Sequence, residues 1–296
     1  MLSKIRSLFP ALEIRENEPL KNHCSFRIGG PADVMLLPKT EEELSGVYKT
    51  LLESGERLFV MGNGSNLLFA DEGFRGTVIK TSGVNGIDLV GENRVRAGCG
   101  ALLSQTVVFA RKNSLAGMEF AHGIPGSVGG AVMMNAGAYG GEIKDIAAET
   151  RYLDAAGELR KVSGAEHEFS YRHSRFKEGE IIVSCDFTLQ RGDEAEIQNK
   201  MSELAAKRKA SQPLELPSAG STFKRPVGGF AAALIDEAGL KGLTVGGAQV
   251  STKHAGFVVN IGGASCADVV ALMEKIKEAV FAASGIELEP EVRIVK

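Results

Sequence analysis

Ser221 stands in PSAGSTFKRP, residues 217–226, directly after Gly220 and shortly before the cations Lys224 and Arg225. A hydroxyl on a tight turn beside two positive charges suits protonating or binding an anionic substrate. It is not a nucleophile elbow, because no glycine stands two residues after the serine. On these residues alone the plainer reading is a turn serine. Tyr171 and Arg172 open the dense polar run YRHSRF, residues 171–176. The Arg172 guanidinium can fork onto a carboxylate; the competing reading is a surface salt-bridging arginine. Glu291, in EPEVR at 289–293, enters the last strand with carboxylates and Arg293 alternating, and by itself reads as a solvated acid. The five histidines are unpaired in the pattern and no cysteine or histidine spacing suits a metal, so none is expected.

Two glycine-rich stretches offer room for a ligand beside these groups. Residues 122–141 read HGIPGSVGGAVMMNAGAYGG, with seven glycines in twenty, where average usage gives roughly one or two. Gly126, Gly129 and Gly130 stand where a bulkier residue would hold the backbone off a ligand. Ser127 is expected to cap a helix over 128–136 that Gly137 ends in the left-handed conformation. The first turn would then offer free N–H groups and a positive dipole end to a pyrophosphate. A tightly packed crossover is the competing reading. The second stretch, GNGSNLLF at 62–69, follows a short strand at 57–61, the place where ligands gather in α/β units. It is neither the dinucleotide fingerprint, since Leu67 stands in place of the third glycine, nor a P-loop.

The rest of the chain must position these pieces. Its 296 residues suffice for two or three domains. An apolar fraction of 44%, a charged fraction of 24% and a formal net charge of −3 leave no global field to recruit nucleic acid or a membrane surface. No apolar run approaches the roughly 18 residues of a membrane span, and residues 1–18 make no convincing signal peptide. Cys24, Cys99, Cys185 and Cys266 lie far apart and read as buried free thiols of a reducing cytosol. A cytoplasmic protein is expected. Thr40 and Glu43 form a capping-box pattern before a helical stripe of Leu44, Val47, Tyr48, Leu51 and Leu52 that Gly55 ends. Strands are expected at 33–37 and 77–80, with hairpins over 86–97 and 150–162. Helices are expected at 101–114, 193–209, 230–238 and 265–284. Residues 183–189 alternate apolar and polar as a half-buried strand does; 211–220 reads as a linker, and 256–261 and 292–295 as strands. The class is α+β. The division expected is 1–192, itself split near 80–100, and 193–296.

The pieces GNGSNLLF, GIPGSVGGAVMMNAGAYGGE, YRHSRFK, PSAGSTFKRP, STKHAGFVVN and LEPEVR occur in this order and span nearly the whole chain from Leu20 onward. Together they resemble the UDP-N-acetylenolpyruvoylglucosamine reductase family, flavoenzymes of bacterial cell-wall precursor synthesis. The resemblance implies an FAD-binding domain of the vanillyl-alcohol oxidase and para-cresol methylhydroxylase type, followed by a C-terminal α/β substrate domain. It implies non-covalent FAD held by Gly62, Asn63, Gly64, Ser65, Asn66 and Leu67, and by Gly123, Pro125, Gly126, Ser127, Gly129, Gly130, Asn135 and Gly137. NADPH is implied as co-substrate in reducing the enolpyruvyl ether of UDP-N-acetylglucosamine enolpyruvate to the lactyl ether of UDP-N-acetylmuramate. Motif by motif, Ser221 is the implied proton donor, and Arg172 and Glu291 the implied stabilisers of the enolate-like carboxylate. Lys224 is a candidate for the charge that drives the proton transfer. Arg208 and Arg225 are candidates for the diphosphate, with Tyr171 also at the substrate. Residues 192–216 contain no tyrosine, so the chain looks like the shorter form that lacks a tyrosine loop. A monomer is expected. The readings that compete are a flavin oxidase of the same fold acting on an alcohol or sugar, and a sugar-nucleotide-binding module without redox chemistry.

Overall fold

The computed structural model describes residues 1–296 as two compact units. The first comprises Met1–Arg15, Val34–Asn63 and Gly76–Lys207; the second comprises Glu16–Asp33, Gly64–Arg75 and Arg208–Lys296. The units interleave along the chain, whereas the division drawn from sequence at 192/193 is linear. No helix is long and apolar enough to cross a membrane.

In the first unit a five-stranded antiparallel sheet runs in the order Leu159–Ser163, Ala147–Leu153, Ile181–Thr188, Arg94–Gly98, Ile87–Leu89. Both expected hairpins are here. The Ala147–Leu153 hairpin turns on Asp154, whose Oδ1 accepts from Ala156 N and Glu158 N. Leu58–Met61 pairs in parallel with Thr77 to Lys80, and helix Glu41–Ser54 carries Leu44, Val47, Tyr48 and Leu51 into the core. Thr40 caps that helix by accepting from Glu43 N at 3.1 Å, and Gly55 closes it at φ 65. The capping box is incomplete, because Glu43 turns back to Lys39 N rather than Thr40 N. Leu52 lies on the exposed side.

The expectation of a half-buried strand at 183–189 needs correction. In strand Ile181–Thr188 every residue but the exposed Thr188 is buried, so both faces are covered, Ser184 and Asp186 included. Asp186 can be polar there because Arg96 forks onto it with bonds of 2.6 and 2.9 Å. A second correction concerns the glycine-rich stretch. Its helix is Val128–Met133, six residues, and Asn135 rather than Gly137 takes the left-handed conformation, at φ 41. Gly137 instead starts a tight hairpin, pairing with Glu142.

In the second unit Thr244–Val245, Ala248–Val250 and Val258–Asn260 form a three-stranded antiparallel sheet. Helix Cys266–Ser284 begins with a complete capping box between Ser265 and Asp268. Asp71 covers its next two donors, accepting from Cys266 N at 2.7 Å and Ala267 N at 3.1 Å. Leu67–Phe69 pairs in parallel with Arg293–Val295, so the end of the second glycine-rich turn is a strand of this unit. Helix Ala231–Glu237 buries Ile235. All four cysteines are buried free thiols. Burial pushes Cys99 and Cys185 up to about 12 each.

Candidate active site

Within the first unit Gly62, where one glycine-rich stretch begins, meets Ser127 of the other. A Cβ on Gly62 would lie 2.1 Å from Ser127 Oγ. The clash is with a side-chain hydroxyl, so a methyl at Gly62 would push Ser127 Oγ aside. Ser127 Oγ is buried and has no hydrogen-bond partner. It does not cap the helix it precedes. A buried hydroxyl left unpaired is costly, and one set against a glycine turn beside exposed Gly130 is suited to a phosphate oxygen. Two of the first-turn N–H groups expected to be free are taken, however. Val128 N donates to Ala101 O at 2.8 Å and Gly129 N to Cys99 O at 2.9 Å. The helix is also too short to carry much dipole. Gly129 is glycine for packing: its Cβ would press on Cys99 at 3.0 Å. His122, half-buried beside the stretch, is pushed below its ordinary value by burial and by Arg111, and so is neutral near pH 7.

The same unit positions Tyr171 and Arg172. Ser170 and His173 exchange both backbone hydrogen bonds at 3.1 Å, closing a two-residue turn with Tyr171 and Arg172 at its tip. Arg172 has φ 54, a conformation that suits glycine or asparagine. Its guanidinium carbon lies 5.1 Å from the Tyr171 ring centroid. The turn hangs from residues 133–135: Asn135 Nδ2 donates to Ser170 O at 3.0 Å, and Ser174 Oγ donates to Met133 O at 2.7 Å. Glu142 shares the neighbourhood. The hydrogen bond from Lys144 foremost, then that from Asn135 and the charge of Arg172, hold its carboxyl below the ordinary range against partial burial.

The second unit carries Ser221 and Glu291 on adjoining segments. Glu291 N donates to Thr222 O at 2.9 Å, Lys224 N donates to Glu289 O at 2.9 Å, and Phe223 bridges Pro290. Asn66 Nδ2 donates to Glu291 O at 3.1 Å, and Arg293 N donates to Asn66 O at 3.0 Å. Thr222 is buried; its N–H reaches Gly256 O, and its Oγ1 accepts from Val258 N, both at 2.9 Å. Ser221 itself is exposed, after Gly220 at φ 79. The serine thus projects from a bend whose flank is pinned on three sides. Lys224 Nζ is engaged by Glu289, which offsets the charge the sequence reading assigned to it. Arg225 is exposed and lies over Phe230, 4.5 Å from the ring centroid. Arg208 is half-buried on helix Glu194–Ser211. No three His, Cys, Asp or Glu residues are grouped to hold a metal.

The profile of the "UDP-N-acetylenolpyruvoylglucosamine reductase, C-terminal domain" matches residues 212–295, and that of an "FAD binding domain" matches residues 32–163. The chain is 49% identical over 284 residues to UDP-N-acetylenolpyruvoylglucosamine reductase of Clostridioides difficile strain 630, covering 96% of this chain and 93% of that protein. It is 46% identical over 296 residues to the enzyme of the same name from Levilactobacillus brevis, covering all of this chain and 97% of that one. The chain belongs to the UDP-N-acetylenolpyruvoylglucosamine reductase family. The crystal structure of UDP-N-acetylenolpyruvylglucosamine reductase from Thermus caldophilus superposes with a TM-score of 0.83 at 36% identity, covering 96% of this chain and 99% of that one.

A reductase of this family with an FAD-binding domain needs a place for the cofactor's pyrophosphate, and Gly62 with the unpaired Ser127 hydroxyl fits one. Thr222 and Ser174 escaped the sequence reading because each acts through a backbone contact made far along the chain. Asn135 was read as a cofactor contact. Its side chain is instead spent on protein groups beside the hairpin of Tyr139 and Gly140, and no local pattern in the sequence announces those partners.

Proposed function

We propose that this chain reduces the enolpyruvyl ether of UDP-N-acetylglucosamine enolpyruvate to UDP-N-acetylmuramate with NADPH, using Ser221, Arg172 and Glu291. The observation that carries the roles is the bracing of exposed Ser221 against the Glu291 segment through Thr222 O. Gly62, Ser127 and the adjoining turns hold FAD, which when bound supplies the two-electron carrier between nicotinamide and substrate. Arg172 offsets the negative charge that grows on the substrate carboxylate. Glu291, in its protonated form, donates a hydrogen bond to the same oxygens. Ser221 Oγ gives its proton to the carbon next to the carboxylate, completing the addition across the double bond. Serine is a poor acid in water and Glu289 offsets Lys224, so the strong basicity of the carbon that accepts the proton drives the transfer. Arg225 and Arg208 take the diphosphate, and Tyr171 lies against the substrate. Residues 1–192 hold the cofactor and lend Tyr171 and Arg172 to the substrate, which 193–296 otherwise bind. The protein works as a cytoplasmic monomer without nucleic acid or membrane.

The test is anaerobic stopped flow on Ser221→Ala, following flavin absorbance. Bleaching by NADPH should stay near the parent rate, while reoxidation by the enolpyruvyl substrate should fall roughly 10²- to 10⁴-fold. Slow bleaching with intact reoxidation would refute the proton-donor role.

A further inference from the structure

We infer that Asn135 is a positioning residue for Arg172, tying the turn that carries the arginine to the hairpin that carries Glu142. The inference rests on the reading of Arg172 as the cation that meets the substrate carboxylate. Asn135 is fully buried. An amide has two donor hydrogens and one carbonyl oxygen. Nδ2 donates to Ser170 O at 3.0 Å and to Glu142 Oε2 at 2.8 Å, and Oδ1 accepts from Lys144 N at 2.9 Å. Both donors are therefore committed to protein, and neither remains for a flavin or a phosphate.

The partners of this amide decide what it does. Ser170 opens the two-residue turn, so its carbonyl fixes the entry to Tyr171 and Arg172. Glu142 is the carboxylate whose ionisation responds to the Arg172 charge. It also receives Lys144 Nζ at 2.8 Å. One side chain thus sets both where the arginine turn starts and where its counter-charge stands. Ser174 supplies a second tie on the far flank, from its Oγ to Met133 O. The left-handed backbone at Arg172 is costly for a residue with a side chain and persists only where its surroundings over-determine it. Asn135 itself adopts φ 41, which asparagine tolerates better than most residues.

Asn135→Asp tests this in the holoenzyme. It keeps the shape, the backbone tolerance and the acceptor for Lys144 N, but removes the donor to Ser170 O and sets a second carboxyl against Glu142, with which it shares a proton. FAD content and bleaching by NADPH should stay within about twofold of the parent. Reoxidation at saturating substrate should fall about 10- to 100-fold, the scale of an ångström-sized misplacement of a catalytic group. The calorimetric dissociation constant for the enolpyruvyl substrate should weaken by about tenfold. In an Arg172→Ala background both losses should shrink to about twofold or less, because nothing is left to position. Asn135→Gly, which keeps the backbone conformation without the amide, should behave alike. Lost FAD affinity with normal reoxidation per bound flavin would make Asn135 a cofactor contact and overturn the inference. A loss that persists in full without Arg172 would overturn it too, as would failure of both variants to fold. If Arg172→Ala alone leaves reoxidation and substrate affinity unchanged, the assignment of Arg172 fails instead, and the inference falls with it.

Discussion

Gly62→Ala isolates the contact on which the cofactor reading depends. The new methyl would sit 2.1 Å from Ser127 Oγ and 3.2 Å from Ser127 Cβ. Non-bonded carbon atoms settle at about 3.5 Å, so the hydroxyl must swing away by more than an ångström. Rotation about χ1 accommodates this without unfolding the turn, but it moves the unpaired hydroxyl off its present direction. A hydrogen bond to a charged acceptor is worth about 1.5–3 kcal/mol. At 1.4 kcal/mol per decade, losing it weakens FAD binding roughly 10- to 140-fold. Ser127→Ala removes the hydroxyl without the overlap and should weaken binding by a similar factor. The double variant should lose no more than either single one, because both act through one oxygen. The assay is titration of the apoprotein with FAD, read by quenching of flavin fluorescence, with thermal melts to confirm folding. Parent-like FAD affinity in Ser127→Ala would refute the assignment of that hydroxyl to the pyrophosphate. Full additivity in the double variant would show that Gly62→Ala acts by distorting the turn instead.

Arg225→Ala should raise the Michaelis constant for the sugar-nucleotide substrate more than it lowers turnover, the sign of lost uniform binding; the reverse split in steady-state kinetics would move Arg225 among the groups that act in the chemical step. The Glu142 carboxyl lies below its ordinary value of 4.5, so the stability it contributes is present above that value and lost as pH falls through its folded-state value. Melting temperature against pH should therefore lose part of its acid slope in Glu142→Gln, and an unchanged profile would contradict the lowered carboxyl. Arg172→Gly should be more stable than Arg172→Ala by roughly 1 kcal/mol, because φ 54 costs glycine nothing. Equal midpoints in urea would mean that the turn relaxes once the guanidinium is gone.

Much of the architecture was legible because its signals are local. Thr40, Asp193 and Ser265 each cap the helix they precede, with side chains that accept the next turn's N–H groups. The hairpins of Ile87–Leu89 with Arg94–Gly98 and of Ala147–Leu153 with Leu159–Ser163 follow from alternation around short polar turns. The candidate groups could be picked out by residue type, and Ser221 and Glu291 do lie on adjoining segments. What stayed hidden depends on partners distant in the chain. Alternation at 183–189 implies a wet face only if nothing covers it, and Arg96 with its neighbours does. Residues 16–33 and 64–75 belong to the second unit through contacts such as Asp71 with Cys266 and Ala267, which no local pattern announces. Strands of two residues, such as Thr244–Val245, are too short to alternate.

The backbone at Arg172 bears on the role proposed for that residue. A residue with a side chain in the left-handed region costs of order 1–3 kcal/mol. The two side-chain ties on the turn, from Asn135 to Ser170 O and from Ser174 to Met133 O, contribute about 0.5–1.5 kcal/mol each, enough to hold the strain but with little left over. Glycine at 172 would fit the same turn without strain and would make those ties a net gain. Stability alone therefore favours glycine, and what glycine cannot supply is a guanidinium at the tip of a rigid turn. The strained arginine, its two buried anchors and the carboxylate at Glu142 are more economically explained by a charge held in place for a reaction than by packing.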